Sequence, residues 1–248
     1  MFWNDDEPAA ALDSEAPVVD LYFRLHGDAL PPDYPVPLAE ALAPLLLERL
    51  GSAPPSAAIG ARITHLPEAG HGWWRDPEAP LLLSRRSQLV LRTPRASGAA
   101  LCSLVGCELV LGDCTLLLGA VREQPLVATE PLYAARVLDP IATDAERDAE
   151  RKVDEEIEEE GAAAASEAAF LRTVHAALQA LDIQPRRLLS GRRQWLATPS
   201  GVVATRSLLV DGIGAPASVA LQAHGLGGGR LWGCGFFVPH KSVVAVHS

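Results

Sequence analysis

The chain has 248 residues, 48% of them hydrophobic, and a formal net charge of −10, enough for one large domain or two small ones. It holds no uninterrupted apolar run of the roughly 18 residues that a spanning helix needs, so no membrane-crossing helix is expected. Its four cysteines, Cys102, Cys107, Cys114 and Cys234, show no C-x-x-C spacing, which argues against a zinc site and leaves reduced core thiols; neither a metal nor a cofactor is expected.

Residues 1–17 are acidic and lack both a basic n-region and an apolar h-region. They read as a disordered leader rather than a secretory signal, with the cytoplasm as the expected location. Residues 18–26, VVDLYFRLH, predict the first strand. A proline-rich loop follows, and residues 38–50, LAEALAPLLLERL, have helical composition, with Pro44 expected to kink or split the helix. A strand is expected near 57–65, then the turn-rich loop EAGHGWWRDPEAP. Residues 81–93, LLLSRRSQLVLRT, predict one strong strand. A short helix, SGAALCSLVG, and a hairpin or broken strand, ELVLGDCTLLLG, complete the first half.

The second half opens on the strand 132–138, LYAARVL. Residues 166–181 predict an amphipathic helix, with Phe170, Val174 and Leu178 on one side at i, i+4 spacing. Two strands, LLSGRRQWLAT and GVVATRSLLVDG, meet at a Pro-Ser-Gly turn over 199–201. A short helix, IGAPASVALQAH, precedes a glycine-rich loop and a last strand, LWGCGFFVPHK. Each half therefore reads strand, helix, strand, strand, helix, strand. The expected fold is α+β, two tandem ferredoxin-like (RRM-like) βαββαβ domains over 18–128 and 129–248.

Charge is distributed unevenly. Residues 141–160 hold ten acids against three bases, a net −7, inside an expected acidic insertion spanning 141–165. From residue 184 onward there are seven bases and one acid, a net +6. Screening over about 8 Å at physiological salt lets such a basic surface act independently of the acidic block.

The most specific motif is GLGGGRLWGCG at 225–235. Gly225, Gly227, Gly228 and Gly229 permit close backbone approach to a ligand, and Arg230 adds a guanidinium fork suited to phosphate. A strand follows this loop where a dinucleotide fingerprint needs a helix, and no Gly-Lys-Ser/Thr occurs, so neither Rossmann nor Walker chemistry fits. A bare tight corner is the competing reading.

Glycine, apolar, glycine, five residues with a basic one, then glycine, apolar, glycine resembles the C-terminal signature of the RAMP superfamily of CRISPR-associated proteins. The stretch from SLLVDG to VPHK, the opening VVDLYFRLHGDALPPDY and the strand LLLSRRSQLVLRTP resemble the repeat-processing endoribonucleases of that superfamily. The resemblance implies a metal-independent enzyme that binds the CRISPR repeat hairpin and cuts precursor RNA through attack by its own 2′-OH. It implies repeat RNA as partner, together with other interference-complex subunits, and no direct contact with DNA or membrane. A non-catalytic guide-RNA subunit and a protein-interaction module are the alternatives.

Such chemistry calls for a proton-transfer group near neutrality and cations for the phosphorane. The resemblance places a histidine where Tyr34 stands, and an unperturbed phenol near pKa 10 is a poor base. The catalytic candidates are His26, at the end of the first strand, Tyr34, and His71, in GHGWW beside two tryptophans. Candidate RNA contacts are Arg85, Arg86 and Arg92, with Arg86 and Arg92 expected on one strand face; Arg186, Arg187, Arg192 and Arg193; the glycine loop with Arg230; and His240 and Lys241.

Overall fold

The computed structural model describes residues 17–52, 58–66, 79–140 and 158–240. Residues 1–16, His71 with its loop, the acidic segment 141–157 and Lys241 lie outside the described residues. The chain is α+β, built on two main antiparallel sheets with a small two-stranded one beside them.

In the first half, β1 (Val18–His26), β3 (Gly60–Thr64), β5 (Gln88–Pro94), β6 (Glu108–Leu111) and β7 (Cys114–Pro125) form a sheet ordered β3-β5-β1-β7-β6. Period two sets its faces. Val19, Leu21, Phe23 and Leu25 are buried against Leu38, Leu42 and Leu46 of α1 (Pro35–Leu50) and Leu101 of α2 (Arg95–Cys102). Asp20, Tyr22, Arg24 and His26 therefore project from the opposite face. Both helices cover one face, as the alternation requires.

The helix α1 starts at Pro35, three residues earlier than its sequence suggests, and runs through Pro44 without a break. Pro35 and Pro37 sit in the first turn, where no amide is needed. Pro44 lies on the exposed side, so the carbonyl it strands can bond to water. The single strand expected over 81–93 is two: β4 (Leu81–Leu82), which pairs with β2 (Ala29–Leu30), and β5. A serine turn divides them, with the Ser84 amide donating to Ser87 Oγ at 3.0 Å and the Ser87 amide to the Ser84 carbonyl at 3.0 Å.

The second sheet is ordered β11-β8-β10-β9, from β8 (Leu132–Leu138), β9 (Arg187–Thr198), β10 (Gly201–Asp211) and β11 (Val238–Pro239). Phe170, Val174 and Leu178 of α3 (Glu158–Gln179) and Leu221 of α4 (Ala215–His224) pack on Leu132, Ala134, Leu208 and Val210. The long last strand expected from Leu231 is instead a 3-10 turn, Arg230–Trp232, followed by the two-residue β11. Positive φ at Gly229 (69°), Gly233 (76°) and Gly235 (62°) takes this stretch out of the extended region. The turn lies along β3, with the Ala61 carbonyl 3.3 Å from where a Gly233 Cβ would stand, so the glycine-rich tail covers an open sheet edge.

A third cluster joins the halves: Val36 of α1, Leu196 of β9 and the buried Cys234, with Leu138, Val203 and Trp232 around them. Burial pushes the Cys234 thiol up to about 11. A thiol held neutral in the folded protein stabilises it fully below its unfolded value near 9, and that contribution is lost as pH rises toward 11. Urea unfolding across this interval should show a loss of about 3 kcal/mol that the variant Cys234→Ala lacks.

A candidate RNA-binding cleft between the sheets

Arg92 fixes how the halves meet. Its side chain is 1% exposed. Its Nε and Nη2 each reach an Asp20 carboxylate oxygen at 2.8 Å, and Nη1 donates to the carbonyls of Gln222 (2.9 Å) and Phe237 (2.7 Å) in the second half. The Phe236 ring lies 4.1 Å from its guanidinium carbon. Gln222 and Ser218 of α4 complete the junction, donating to the carbonyls of Val127 (2.7 Å) and Thr129 (2.6 Å) in the linker.

Below this tie a cleft opens between the sheets. Tyr34, Arg62, Tyr133, Arg136, Trp232 and Phe236 line it, with Leu38, Ile63, Leu231 and Val238 as apolar wall. Tyr34 arrives there because it is the residue before α1, Arg62 because it sits mid-β3, and Tyr133 and Arg136 because they lie on β8. Arg62 and Arg136 are half-buried. Among the described residues neither guanidinium has a hydrogen bond or a carboxylate partner. Burial is the main force pushing Arg62 below its ordinary value, with the like charge of Arg92 adding to it. A desolvated guanidinium without an acceptor is costly; here two face one space. The Tyr133 and His240 rings are 5.3 Å apart, which puts an exposed imidazole at the rim. Two cationic forks among aromatic rings can hold a phosphate with an unstacked base. Among the described residues, no group of three His, Cys, Asp or Glu side chains could hold a metal ion.

The residues expected from the sequence divide. Tyr34 lines the cleft and His240 stands at its rim. His26 does not: it is exposed at the end of β1, opposite Leu117, across Gly119, where a Cβ would meet its Nε2 at 2.6 Å. Arg85 and Arg86 are exposed on the serine turn rather than on a strand, so Arg86 does not share a strand face with Arg92. Arg186, Arg187 and Arg192 are exposed on and before β9, with Arg187 paired to Asp211 at 2.7 Å.

Three expected contacts need correction, because their guanidiniums are enclosed. Arg92 is the tie just described. The Arg193 side chain, 6% exposed, lies 3.5 Å from Asp139, which Arg206 also meets at 3.0 Å, and both arginines donate to Ser166 Oγ. Arg230 is 1% exposed and donates to the carbonyls of His224 and Ala223, the orphan acceptors at the end of α4. Burial, and then the like charge of Arg92, pushes it down to about 10. Gly225 is glycine because this guanidinium crosses it: a Cβ would stand 1.7 Å from Arg230 Nη1, at φ 70°. Gly229 lies under the Trp232 ring. Only Gly227 and Gly228 remain exposed at the loop tip.

Sequence reasoning missed Arg62, Tyr133, Arg136 and Trp232. Trp232 lay within the motif singled out, but the other three are single residues in short strands and carry no local signature.

Fold and cleft define a two-sheet α+β protein with cationic, aromatic walls suited to a nucleic-acid backbone. The family model described as Cas6 Crispr matches residues 19–242. The chain belongs to the Cas6 family. It is 29% identical over 233 residues to the CRISPR-associated endonuclease Cas6 of Myxococcus xanthus (strain DK1622), covering 93% of this chain and 85% of that one. Among solved structures it resembles one described as an RAMP protein binding different RNA substrates, with TM-score 0.53, 12% identity, and coverage of 88% and 98% of the two chains. A CRISPR associated protein Cas6 aligns with TM-score 0.51 at 9% identity, over 90% of this chain and 100% of that one. These last two likenesses concern the fold alone.

Proposed function

We propose that this protein is an endoribonuclease that binds the CRISPR repeat hairpin and cuts precursor RNA within each repeat, without a metal. Family membership supports the substrate, and one observation carries the site: two guanidiniums, Arg62 and Arg136, face the same cleft and, among the described residues, neither has a hydrogen bond or a carboxylate partner. The scissile phosphate lies between them. The substrate's 2′-oxygen attacks phosphorus and loses its proton, the bond to the 5′-oxygen breaks, and that oxygen takes up a proton. The products are a 2′,3′-cyclic phosphate and a 5′-hydroxyl. Arg62 and Arg136 offset the phosphorane charge, Tyr34 hydrogen-bonds the reacting oxygens, and His240, beside Tyr133, exchanges a proton from the rim. His26 and His71 remain outside this assignment.

The strand orders support tandem ferredoxin-like domains, 18–128 and 129–248, because each sheet runs second-third-first-fourth or its reverse when β6 and β7 count as one hairpin. Arg85, Arg86, Arg186, Arg187 and Arg192 offer exposed charges for hairpin phosphates, and Gly227–Gly228 offers the bare backbone. Single-turnover incubation with cognate repeat RNA in EDTA tests the proposal. We expect one cut at an unchanged rate after chelation, and a loss of about 100-fold in Tyr34→Phe. Tight binding without a cut would assign a holding role instead.

A further inference from the structure

The open face of the first sheet carries a charged row that extends beyond the cleft. Register lines up Arg62 on β3, Val90 on β5, Tyr22 on β1 and Arg122 on β7 as one transverse row. At strand spacings near 4.8 Å the row spans roughly 14 Å. Arg122 is exposed and its guanidinium carbon lies 4.8 Å from the Tyr22 ring centre. The next row adds Arg24, exposed beside Gln88 and Thr64. Among the described residues, Arg24 and Arg122 meet no carboxylate. Asp20 is the one carboxylate that β1, β3, β5 and β7 bring to this face, and Arg92 holds it with both oxygens. The Glu123 carboxylate turns away, to Arg95 at 3.3 Å.

One end of the row, Arg62, lines the cleft. The charged face is therefore continuous with the proposed cutting site. Cations flanking an aromatic ring on a sheet suit a chain whose bases are splayed and whose phosphates are exposed, which describes single-stranded RNA rather than a duplex. We propose that Tyr22, Arg24 and Arg122 form a track for the single-stranded RNA that flanks the repeat hairpin, Tyr22 stacking a base and the two arginines taking phosphates. This inference rests on the reading of the chain as a repeat-RNA enzyme.

The test compares two RNAs on the full chain by fluorescence anisotropy: the repeat hairpin alone, and the hairpin with a short single-stranded uridine extension on each side. The wild type should bind the extended RNA about tenfold more tightly. Tyr22→Leu and Arg122→Glu should each bring that ratio to within about twofold of one; Arg122, an exposed residue, keeps the test valid should the Tyr22 variant fold poorly. Arg49→Ala, at the far end of α1, should keep the wild-type ratio. A wild-type ratio of one, or a ratio unchanged in both variants, overturns the track while leaving the hairpin reading intact. Failure of the wild type to bind either RNA overturns that reading and the track with it.

Discussion

Arg62→Ala is expected to lower the single-turnover cleavage rate by about 100- to 1,000-fold, the range seen when one preorganised donor to a developing negative charge is removed. Stability should move the other way. Arg62 is half-buried without a hydrogen bond or a carboxylate among the described residues, with the Phe236 ring centre 5.7 Å from its guanidinium carbon, and burial pushes it below its ordinary value, so in the unliganded protein little offsets its desolvation. Truncating it should leave thermal unfolding unchanged or shift it slightly upward. That combination of a large activity loss with no stability loss separates a ligand-facing cation from a structural one. Arg62→Lys keeps the charge but loses the planar fork, and should recover only part of the rate. A destabilised Arg62→Ala with proportionate activity would place the residue in the fold instead.

Arg92→Met should act in the opposite sense, costing about 3–5 kcal/mol of stability, the usual consequence of removing one partner from an enclosed ion pair. Asp20, 6% exposed, would keep its charge without a counter-ion, and the Gln222 and Phe237 carbonyls would lose their donor. Urea denaturation at neutral pH measures the cost. The double variant Asp20→Leu, Arg92→Met removes the stranded charge and should recover part of it. Because Arg92 joins β5 to α4 and to the residue before β11, its loss should also loosen the relation between the sheets, and with it the cleft.

The two variants mark what the sequence makes legible. The strand β1 could be read because its alternation has one cause: one face is buried under α1 and α2. The helix α3 could be read because Phe170, Val174 and Leu178 repeat at the helical period. The glycine motif was recognisable as a pattern, yet its chemistry was not. An arginine among glycines reads as a phosphate fork, but Arg230 is folded back onto the carbonyls of Ala223 and His224, and glycines are needed so that it can pass. Arg92 and Arg230 look like binding residues in one dimension and are structural ties in three. Conversely, nothing about Arg62 in GARIT or Arg136 in LYAARVL sets them apart locally. Their character comes from facing one cleft with no carboxylate partner among the described residues, which is a property of the assembled sheets.

The most direct measurement maps where the scissile phosphate lies. A repeat RNA with a 2′-deoxy sugar at the cleaved nucleotide cannot be cut, and a photoreactive uridine beside that nucleotide reports its neighbours after irradiation and peptide mapping. Crosslinks in the peptides carrying Tyr34, Tyr133 and Trp232 are the predicted result. Crosslinks confined to surfaces away from these residues, with efficient capture of the RNA, would contradict the assignment of the cleft.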